Sequence, residues 1–389
     1  MQSDTSEANV PSIITVLEKV REKESAGETV FNFSIGNPGI RFREAEKAHF
    51  EASREIHESD GERNPFSYIQ STGTDEAREG VAKYMKELYD VNFAPGDVVI
   101  TNGGSEAGRI SMICMDGDIL LPAPTFAPAL KWSENFKRIE TVGMNERHHL
   151  DLDRLGDALN GDGKRKIVYI PNPSNPTGSI LPDDEMNELV SILEKSGHFL
   201  IADVVYNGME WDGNKTPTEY NMRKYNNIAL IDSASKRYAL ASARLGWIGF
   251  HPDMDDKERV IKSIAPFKEF QGCICPTVTG CKTLPKLLEI DADTLRKHYS
   301  AYERRVNTLV DGLEGLAEKP DAAIYLWVKS PIKNDSEFAI KLIDYYNVAT
   351  VPGSAFGGPG YVRFSVGDIS EDDIREAVPR IRDAYSQHY

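Results

Sequence analysis

The sequence has few cysteines and a deficit of positive charge, and both shortages narrow the classes of protein that it can encode. Only four cysteines occur in 389 residues. Cys273 and Cys275 have no second cysteine or histidine pair at zinc-binding spacing, so buried or incidental thiols are favoured over a metal site. Basic residues number 45 against 61 acidic ones, which gives a formal net charge of −16 at pH 7. We therefore expect no nucleic-acid partner, because nucleic acid is bound by a concentrated basic face.

Long apolar runs are also missing. No stretch of about 18 apolar residues could span a bilayer, and the amino terminus lacks the charged start and apolar stretch of a secretory signal. We therefore expect a cytoplasmic protein that has no membrane partner.

The chain does contain enough apolar residues, 40% of the total, to bury a large interior. Its length exceeds what one core usually supports, so two domains are expected. From about residue 76 helical and strand patterns alternate, with predicted strands at 98–101, 118–121, 166–170, 199–203, 228–232 and 245–250. This alternation predicts an α/β fold with a mostly parallel sheet covered by helices, and a ligand site at the carboxyl ends of the strands.

The pattern changes after about residue 285. A long helix at 291–316, strand-like segments at 322–328 and 361–366, and a closing helix at 371–385 predict a smaller α+β unit. Helices at 17–24 and 44–57 flank a short predicted strand at 30–35. We expect residues 55–285 to form a large domain, and residues 1–54 with 286–389 to form a small domain and an N-terminal segment.

The most informative stretch surrounds Lys236. Ser233, Ser235 and Lys236 follow a predicted strand, and Arg244 comes eight residues after the lysine. A lysine amine is a nucleophile toward carbonyl carbons, and arginine offers a permanently charged fork to a phosphate dianion. A lone S-x-S-K is more often a solvated surface lysine, so the interpretation depends on the rest of the chain.

Three further segments lie at predicted strand ends, in a fixed order along the chain. The sequence N-P-S-N-P-T-G occupies residues 172–178, Asp203 and Tyr206 form D-x-x-Y, and T-N-G-G-S at residues 101–105 joins a strand to a helix. Backbone amides at such a helix start can cradle a phosphate. Together with the Lys236 stretch, these segments resemble the fold-type I pyridoxal-phosphate-dependent aminotransferases of class I/II, the aspartate aminotransferase superfamily.

The resemblance implies a large domain with a mostly parallel seven-stranded sheet sandwiched by helices, plus a smaller α+β domain. It implies pyridoxal 5′-phosphate as cofactor, held by Lys236 as a Schiff base, with Asp203 paired to the pyridine nitrogen. Tyr206 completes the expected catalytic set. The other expected cofactor contacts are Tyr68, Gly104, Ser105, Phe126, Asn175, Ser233, Ser235 and Arg244.

The same resemblance indicates where a substrate binds. Arg363 matches the arginine that grips the substrate α-carboxylate, and bidentate bonding explains why arginine rather than lysine is used there. Gly36 and Asn175 match residues that lie against the substrate. Tyr68 matches a tyrosine that reaches the phosphate of the neighbouring subunit, which implies a homodimer with shared active sites.

The expected function is transfer of the amino group of an L-α-amino acid to a 2-oxo acid by ping-pong kinetics. The motifs indicate the cofactor more firmly than the reaction, so a C–S lyase, a decarboxylase, a cyclase or an oxygen-dependent arginine oxidase stays an alternative. A non-catalytic ligand-sensing domain is a remote alternative, because no basic recognition helix precedes the domain.

Overall fold

The structure, a computed structural model, describes residues 13–59, 64–132, 136–216 and 223–387. The α-helices in these ranges are α1 (Ile13–Ser25), α2 (Arg43–His57), α3 (Asp75–Tyr89), α4 (Gly104–Cys114), α5 (Leu152–Asn160), α6 (Asp183–Ser196), α7 (Ala234–Arg237), α8 (Lys257–Phe270), α9 (Val278–Leu288), α10 (Ala292–Gly312), α11 (Asp335–Tyr346) and α12 (Glu371–Ser386). The strands are β1 (Phe31–Asn32), β2 (Val98–Thr101), β3 (Asp118–Ala123), β4 (Ile139–Gly143), β5 (Lys166–Pro171), β6 (Phe199–Asp203), β7 (Ile228–Ser233), β8 (Gly246–Phe250), β9 (Tyr325–Lys329), β10 (Val348–Ala349), β11 (Val351–Pro352) and β12 (Tyr361–Ser365).

A seven-stranded sheet in the order β2-β8-β7-β6-β5-β3-β4 forms the centre of the molecule. Strands β3 to β7 pair in parallel, whereas β8 runs antiparallel to both β2 and β7. The predicted mostly parallel sheet is therefore confirmed. Because β2, β3, β5, β6 and β7 point the same way, their carboxyl ends meet along one edge.

Successive residues of the central strands enter two different cores. In β6, Leu200 and Ala202 pack in a cluster that includes residues of α3 and α6, while Phe199 and Ile201 pack in a cluster that includes residues of α4 and α8. Side chains alternate between the two faces of a strand, so helices must cover both faces of a sheet whose strands are apolar throughout. This arrangement buries the sheet and leaves its carboxyl edge for polar side chains.

A smaller α+β unit lies beside the central sheet. Strands β11, β12 and β9 form an antiparallel sheet, and β1 pairs in parallel with β10. Apolar residues of α10 and α12 pack against this unit in a cluster that also contains Tyr206. The strand predicted at 30–35 is limited to β1. The division of the chain into two domains at residues 55 and 285 stays a prediction.

Several helices are capped by the side chain of the residue directly before their first turn. Thr74, Asp291 and Ser370 accept hydrogen bonds from backbone amides in the first turns of α3, α10 and α12. Such caps each stabilise a helix by about 1 kcal/mol. None of the helices described here is long and apolar enough to cross a membrane.

A buried ion pair supports the turn that carries Lys236. Arg237 Nη2 lies 3.0 Å from Asp232 Oδ2, and the two side chains are 7% and 1% exposed. Burial raises the pKa of Asp232, so its charged form depends on the arginine. This pair fixes β7 to α7 immediately around the lysine.

Replacing Arg237 with leucine is expected to lower the free energy of unfolding by about 3–5 kcal/mol, because Asp232 would stay buried without a partner. Urea unfolding monitored by circular dichroism measures the change. The matched control is Arg259→Leu, which removes an exposed arginine from its pair with Asp256 and should cost less than about 1 kcal/mol. Equal losses in the two variants would contradict a structural role for the buried pair.

Candidate active site

A pocket of about 390 Å³ opens at the carboxyl edge of the central sheet. All the predicted site residues except Tyr68 line it: Gly36, Gly104, Ser105, Phe126, Asn175, Asp203, Tyr206, Ser233, Ser235, Lys236, Arg244 and Arg363. They come together because most of them follow the ends of β2, β3, β5, β6 and β7. Tyr68 is 80% exposed on the surface of the chain.

Lys236 lies on the short helix α7, directly after β7. Its side chain is half-buried, and Nζ donates a hydrogen bond to the backbone carbonyl oxygen of Gly36. The amine is therefore held in the pocket by a neutral acceptor rather than by a carboxylate. Such an amine can be displaced toward a carbonyl carbon without breaking an ion pair.

One end of the pocket is built to receive an anion. Gly104 and Ser105 begin α4, where free backbone amides and the positive end of the helix dipole lie together. A side chain at Gly246 would come within 2.7 Å of the Gly103 carbonyl carbon, so glycine lets β8 approach this turn closely. Arg244 donates to the carbonyl oxygens of Asn102 and Ala241, at 3.0 and 2.8 Å.

No carboxylate within the described ranges forms an ion pair with Arg244. The turn between β2 and α4 is held by Glu106. Its Oε2 accepts from the Asn102 amide at 2.6 Å and lies 3.6 Å from the buried Lys268 ammonium. The exposed guanidinium thus lines the pocket and is free to pair with a bound anion. A phosphate monoester fits this set of donors.

Asp203 ends β6 at the middle of the pocket floor and is 6% exposed. Its Oδ2 accepts from the Tyr169 hydroxyl at 2.5 Å, and its Oδ1 accepts from the Val205 amide at 3.2 Å. Burial raises the pKa of Asp203 to about 6, since no cation in the described ranges forms an ion pair with it. A cationic group in the pocket, such as a protonated ring nitrogen, would stabilise the carboxylate.

Arg363 lies on β12 and is 4% exposed. Its Nη1 donates to Asn175 Oδ1 at 3.0 Å and its Nη2 to the Ser34 carbonyl oxygen at 2.8 Å. Burial lowers the pKa of the guanidinium, and the buried Nε has no hydrogen-bond partner among the described residues. Five N–H donors serve only two acceptors here, so a substrate carboxylate can take the remaining donors.

Three aromatic side chains that contact Asp203 or Arg363 were not predicted from the sequence. Tyr169 holds Asp203, and Tyr325 and Phe356 line the pocket with their rings 4.5 and 4.7 Å from the Arg363 guanidinium carbon. A buried tyrosine hydroxyl needs a partner, and that requirement is the only signal in the sequence that pointed to Tyr169. Tyr325 and Phe356 left no local signal, because the first is placed by the pairing of β9 with β12 and the second by the turn at Gly353–Phe356 after β11.

Asp203 makes the stability of the cofactor-free protein depend on pH. Its pKa is about 6 in the folded protein against an ordinary value of 3.8. The folded state therefore binds the proton more tightly, and this contribution to stability is present below about pH 4 and is lost as pH rises through about 6.

We expect Asp203→Asn to raise the free energy of unfolding of the cofactor-free protein at neutral pH by up to about 3 kcal/mol. The gain should shrink as the pH is lowered through about 6. Urea unfolding across this pH range measures it. A gain that does not change with pH would contradict a buried, titrating carboxylate.

The residues present fit pyridoxal 5′-phosphate. An anion cradle at Gly104, Ser105 and Arg244 lies at one end, and the buried carboxylate of Asp203 lacks a cationic partner in the part of the chain that the structure describes. Phe126 offers a half-buried ring to the same pocket. The cofactor carries a phosphate, a basic ring nitrogen, an aromatic ring and an aldehyde. The pocket therefore offers a complementary group to each: the anion cradle, Asp203, Phe126 and Lys236.

Comparison with known proteins agrees with this geometry. The chain is 26% identical over 387 residues to an aspartate aminotransferase of Thermotoga maritima, with 97% of each chain covered. It is 27% identical over 384 residues to a probable N-acetyl-LL-diaminopimelate aminotransferase of Bacillus subtilis, with 95% of this chain and 92% of that one covered.

Solved structures share the fold. A crystal structure of the aspartate aminotransferase from Thermotoga maritima superposes with a TM-score of 0.85 at 25% identity, covering 96% of this chain and 97% of that chain. An alanine aminotransferase from Pyrococcus furiosus gives a TM-score of 0.86 at 23% identity, with coverages of 96% and 97%. The sequence model of the family described as aminotransferase class I and II matches residues 28–381. This match confirms the family predicted from the motifs: the chain belongs to the class I and II aminotransferases.

Proposed function

We propose that this protein is a pyridoxal-5′-phosphate-dependent aminotransferase that moves the amino group of an L-α-amino acid to a 2-oxo acid. The observation that carries the proposal is the convergence of one amine, one buried carboxylate and two arginines on a single pocket. The amine is Lys236, the carboxylate is Asp203, and the two cations are Arg244 and Arg363. Family membership supports the same reaction class.

The cofactor would be held by groups along the pocket floor. Arg244, Ser105 and the amides at the start of α4 would bind its phosphate, and Asp203 would pair with its ring nitrogen. Further contacts would come from Gly104, Phe126, Asn175, Tyr206, Ser233 and Ser235. The bound cofactor supplies an aldehyde carbon that accepts nitrogen and a ring that withdraws electrons from the substrate α-carbon.

Lys236 is the proton carrier in this proposal. Its Nζ would move a proton between the substrate α-carbon and the cofactor's C4′ carbon, a transfer that needs an unpaired amine on a short tether. The hydrogen bond to the Gly36 carbonyl oxygen holds Lys236 Nζ in the pocket without an ion pair. Asp203 would stay ionised when paired with the ring nitrogen and would keep that nitrogen protonated, which would be its catalytic role.

Arg363 orients the substrate. It would bind the α-carboxylate through its remaining donors, while the nearby rings of Tyr325 and Phe356 exclude water from the ion pair. The 2-oxo acid product and the second 2-oxo acid carry the same carboxylate. Both substrates would therefore use Arg363 in turn, which predicts ping-pong kinetics.

The proposal includes a homodimer with shared active sites. Tyr68 is 80% exposed and does not line the pocket of its own chain, although its side chain is the kind that donates to a phosphate. Phe66 and Phe270 are also exposed, at 63% and 78%. A partner subunit that covers these rings would bring Tyr68 to the neighbouring phosphate site.

The test is to mix the cofactor-loaded protein in air with single L-α-amino acids, without any 2-oxo acid, and to follow the visible spectrum, the keto product and oxygen. Complete conversion to the aminated cofactor with one equivalent of 2-oxo acid and no further turnover supports the proposal. Continuous turnover that consumes oxygen or releases ammonia contradicts it, and would indicate an oxidase or lyase on the same scaffold.

A further inference from the structure

Tyr325 joins the two halves of the candidate site. It begins β9, is 1% exposed, and lines the pocket. Strand β9 pairs with β12 so that Trp327 lies opposite Arg363. Tyr325 stands two residues before Trp327 and therefore on the same face of the sheet as the arginine.

The ring of Tyr325 holds the Arg363 guanidinium in place. The guanidinium carbon lies 4.5 Å from the centroid of this ring and 4.7 Å from that of Phe356. Aromatic rings attract a desolvated cation, and two rings restrict how the planar fork can turn. The fork's direction, and so its fit to a carboxylate, depends on the Tyr325 ring.

The hydroxyl of Tyr325 lies in a chain of hydrogen bonds that begins at the same arginine. Arg363 Nη1 donates to Asn175 Oδ1 at 3.0 Å, and Asn175 Nδ2 donates to Tyr325 Oη at 3.5 Å. Tyr325 Oη lies 2.5 Å from Tyr206 Oη. A guanidinium can only donate, so Asn175 must accept at Oδ1, which leaves its amide nitrogen as the donor to Tyr325.

Either tyrosine can donate in the last step, since a phenol oxygen that accepts from Asn175 still has a second lone pair. We take Tyr325 as the donor, because this direction leaves the Tyr206 proton to point into the pocket. Burial raises the pKa of Tyr206 well above its ordinary value, so this side chain stays a neutral donor. A fixed donor at Tyr206 would stabilise negative charge on the cofactor's phenolic oxygen.

Backbone packing adds a further contact. A side chain at Gly36 would overlap Tyr325 Oη, so the hydroxyl lies directly against the Gly36 backbone. The carbonyl oxygen of Gly36 accepts from Lys236 Nζ. Tyr325 thus contacts Arg363 and Tyr206 directly, and it contacts Gly36, whose carbonyl oxygen holds Lys236.

We propose that Tyr325 is a positioning residue that couples the carboxylate-binding arginine to proton donation by Tyr206. This proposal rests on the proposed function, since it assumes a substrate carboxylate at Arg363 and a cofactor beside Tyr206. The ring and the hydroxyl have separate tasks. The ring aims Arg363, and the hydroxyl aims the Tyr206 proton.

Two variants of the cofactor-loaded protein separate these tasks. Tyr325→Phe keeps the ring, so KM should stay within about twofold while kcat falls about tenfold, the effect of one lost hydrogen bond. The pH midpoint of the bound cofactor's visible band should rise by about half a unit or more, because the phenolic oxygen loses an aligned donor. Tyr325→Leu should show the same band shift and, in addition, a KM raised about tenfold.

The matched control is Tyr225→Phe. Tyr225 is also buried, and its hydroxyl donates to the His198 carbonyl oxygen away from the pocket. This variant should leave kcat, KM and the band midpoint unchanged, whatever it does to the unfolding midpoint. An unshifted band in Tyr325→Phe, or equal KM values in the two Tyr325 variants, would overturn the proposal.

The spectral titration keeps the two proposals apart. If the wild-type protein transaminates no amino acid, the proposed function fails, while the band midpoint of Tyr325→Phe still tests the link between the two tyrosines. If the wild-type protein transaminates normally and the Tyr325→Phe band is unshifted, only the inference about Tyr325 fails.

Discussion

Replacing Lys236 with alanine is expected to slow amino transfer by about 10⁴-fold or more, the largest effect of any single exchange in this chain. The amine is the group that we place at the α-carbon, and the alternative bases are poorly suited to replace it. Tyr206 is a phenol whose pKa is raised by burial, and Asp203 already accepts hydrogen bonds from Tyr169 and Val205. Proton transfer would then depend on water.

Cofactor binding should survive the same exchange, because Arg244 and the start of α4 form the anion cradle without the lysine. Single-turnover kinetics with the reconstituted variant measure the rate, and equilibrium dialysis measures cofactor retention. An added small primary amine should restore part of the rate. The exposed Lys262 provides the control variant, Lys262→Ala, which should react like the wild type. A Lys236→Ala rate within tenfold of wild type would remove Lys236 from the mechanism.

The central sheet was predictable because period and spacing are local properties. Apolar runs such as residues 166–170 and 199–203 lie at β5 and β6 almost to the residue. Strand direction is a different matter: β8 is antiparallel to both of its partners, and nothing within Gly246–Phe250 indicates this. Helices α8 and α9 contain Pro266 and Pro285 and were not predicted, whereas α12 was predicted despite its internal Pro379.

The same distinction applies to the pocket. Residues at the carboxyl end of a strand, such as Asp203 and Ser233, were predictable because parallel strands bring these ends together. Tyr169 was not, since its contact with Asp203 depends on the register that puts Pro171 opposite Asp203 and Tyr169 two residues earlier on the same face. Tyr325 likewise depends on the β9–β12 register. Local patterns thus indicate which groups reach the pocket edge, and pairing decides what supports them.

Arg363→Leu is expected to lower kcat/KM for amino acids by about 10²- to 10³-fold, through a higher KM and a lower kcat. The physical reason is desolvation: Arg363 is 4% exposed and two rings lie near its guanidinium, so a carboxylate that enters this site without the cation loses its water and gains no partner. Arg363→Lys should recover only part of the loss, because an ammonium cannot bind both carboxylate oxygens from a fixed plane.

The decisive comparison is between an amino acid and the amine that has the same side chain but no carboxyl group. The Arg363→Leu variant should lose its rate toward the amino acid and keep the slow wild-type rate toward the amine, as measured by the visible spectrum in single turnovers. Arg305→Leu is the control, since Arg305 is a partly buried arginine that donates to the carbonyl oxygens of Val366 and Gly367 outside the pocket. Equal losses toward both compounds would mean that Arg363 maintains the site without binding the carboxylate, and the substrate's acid group would have to be recognised elsewhere.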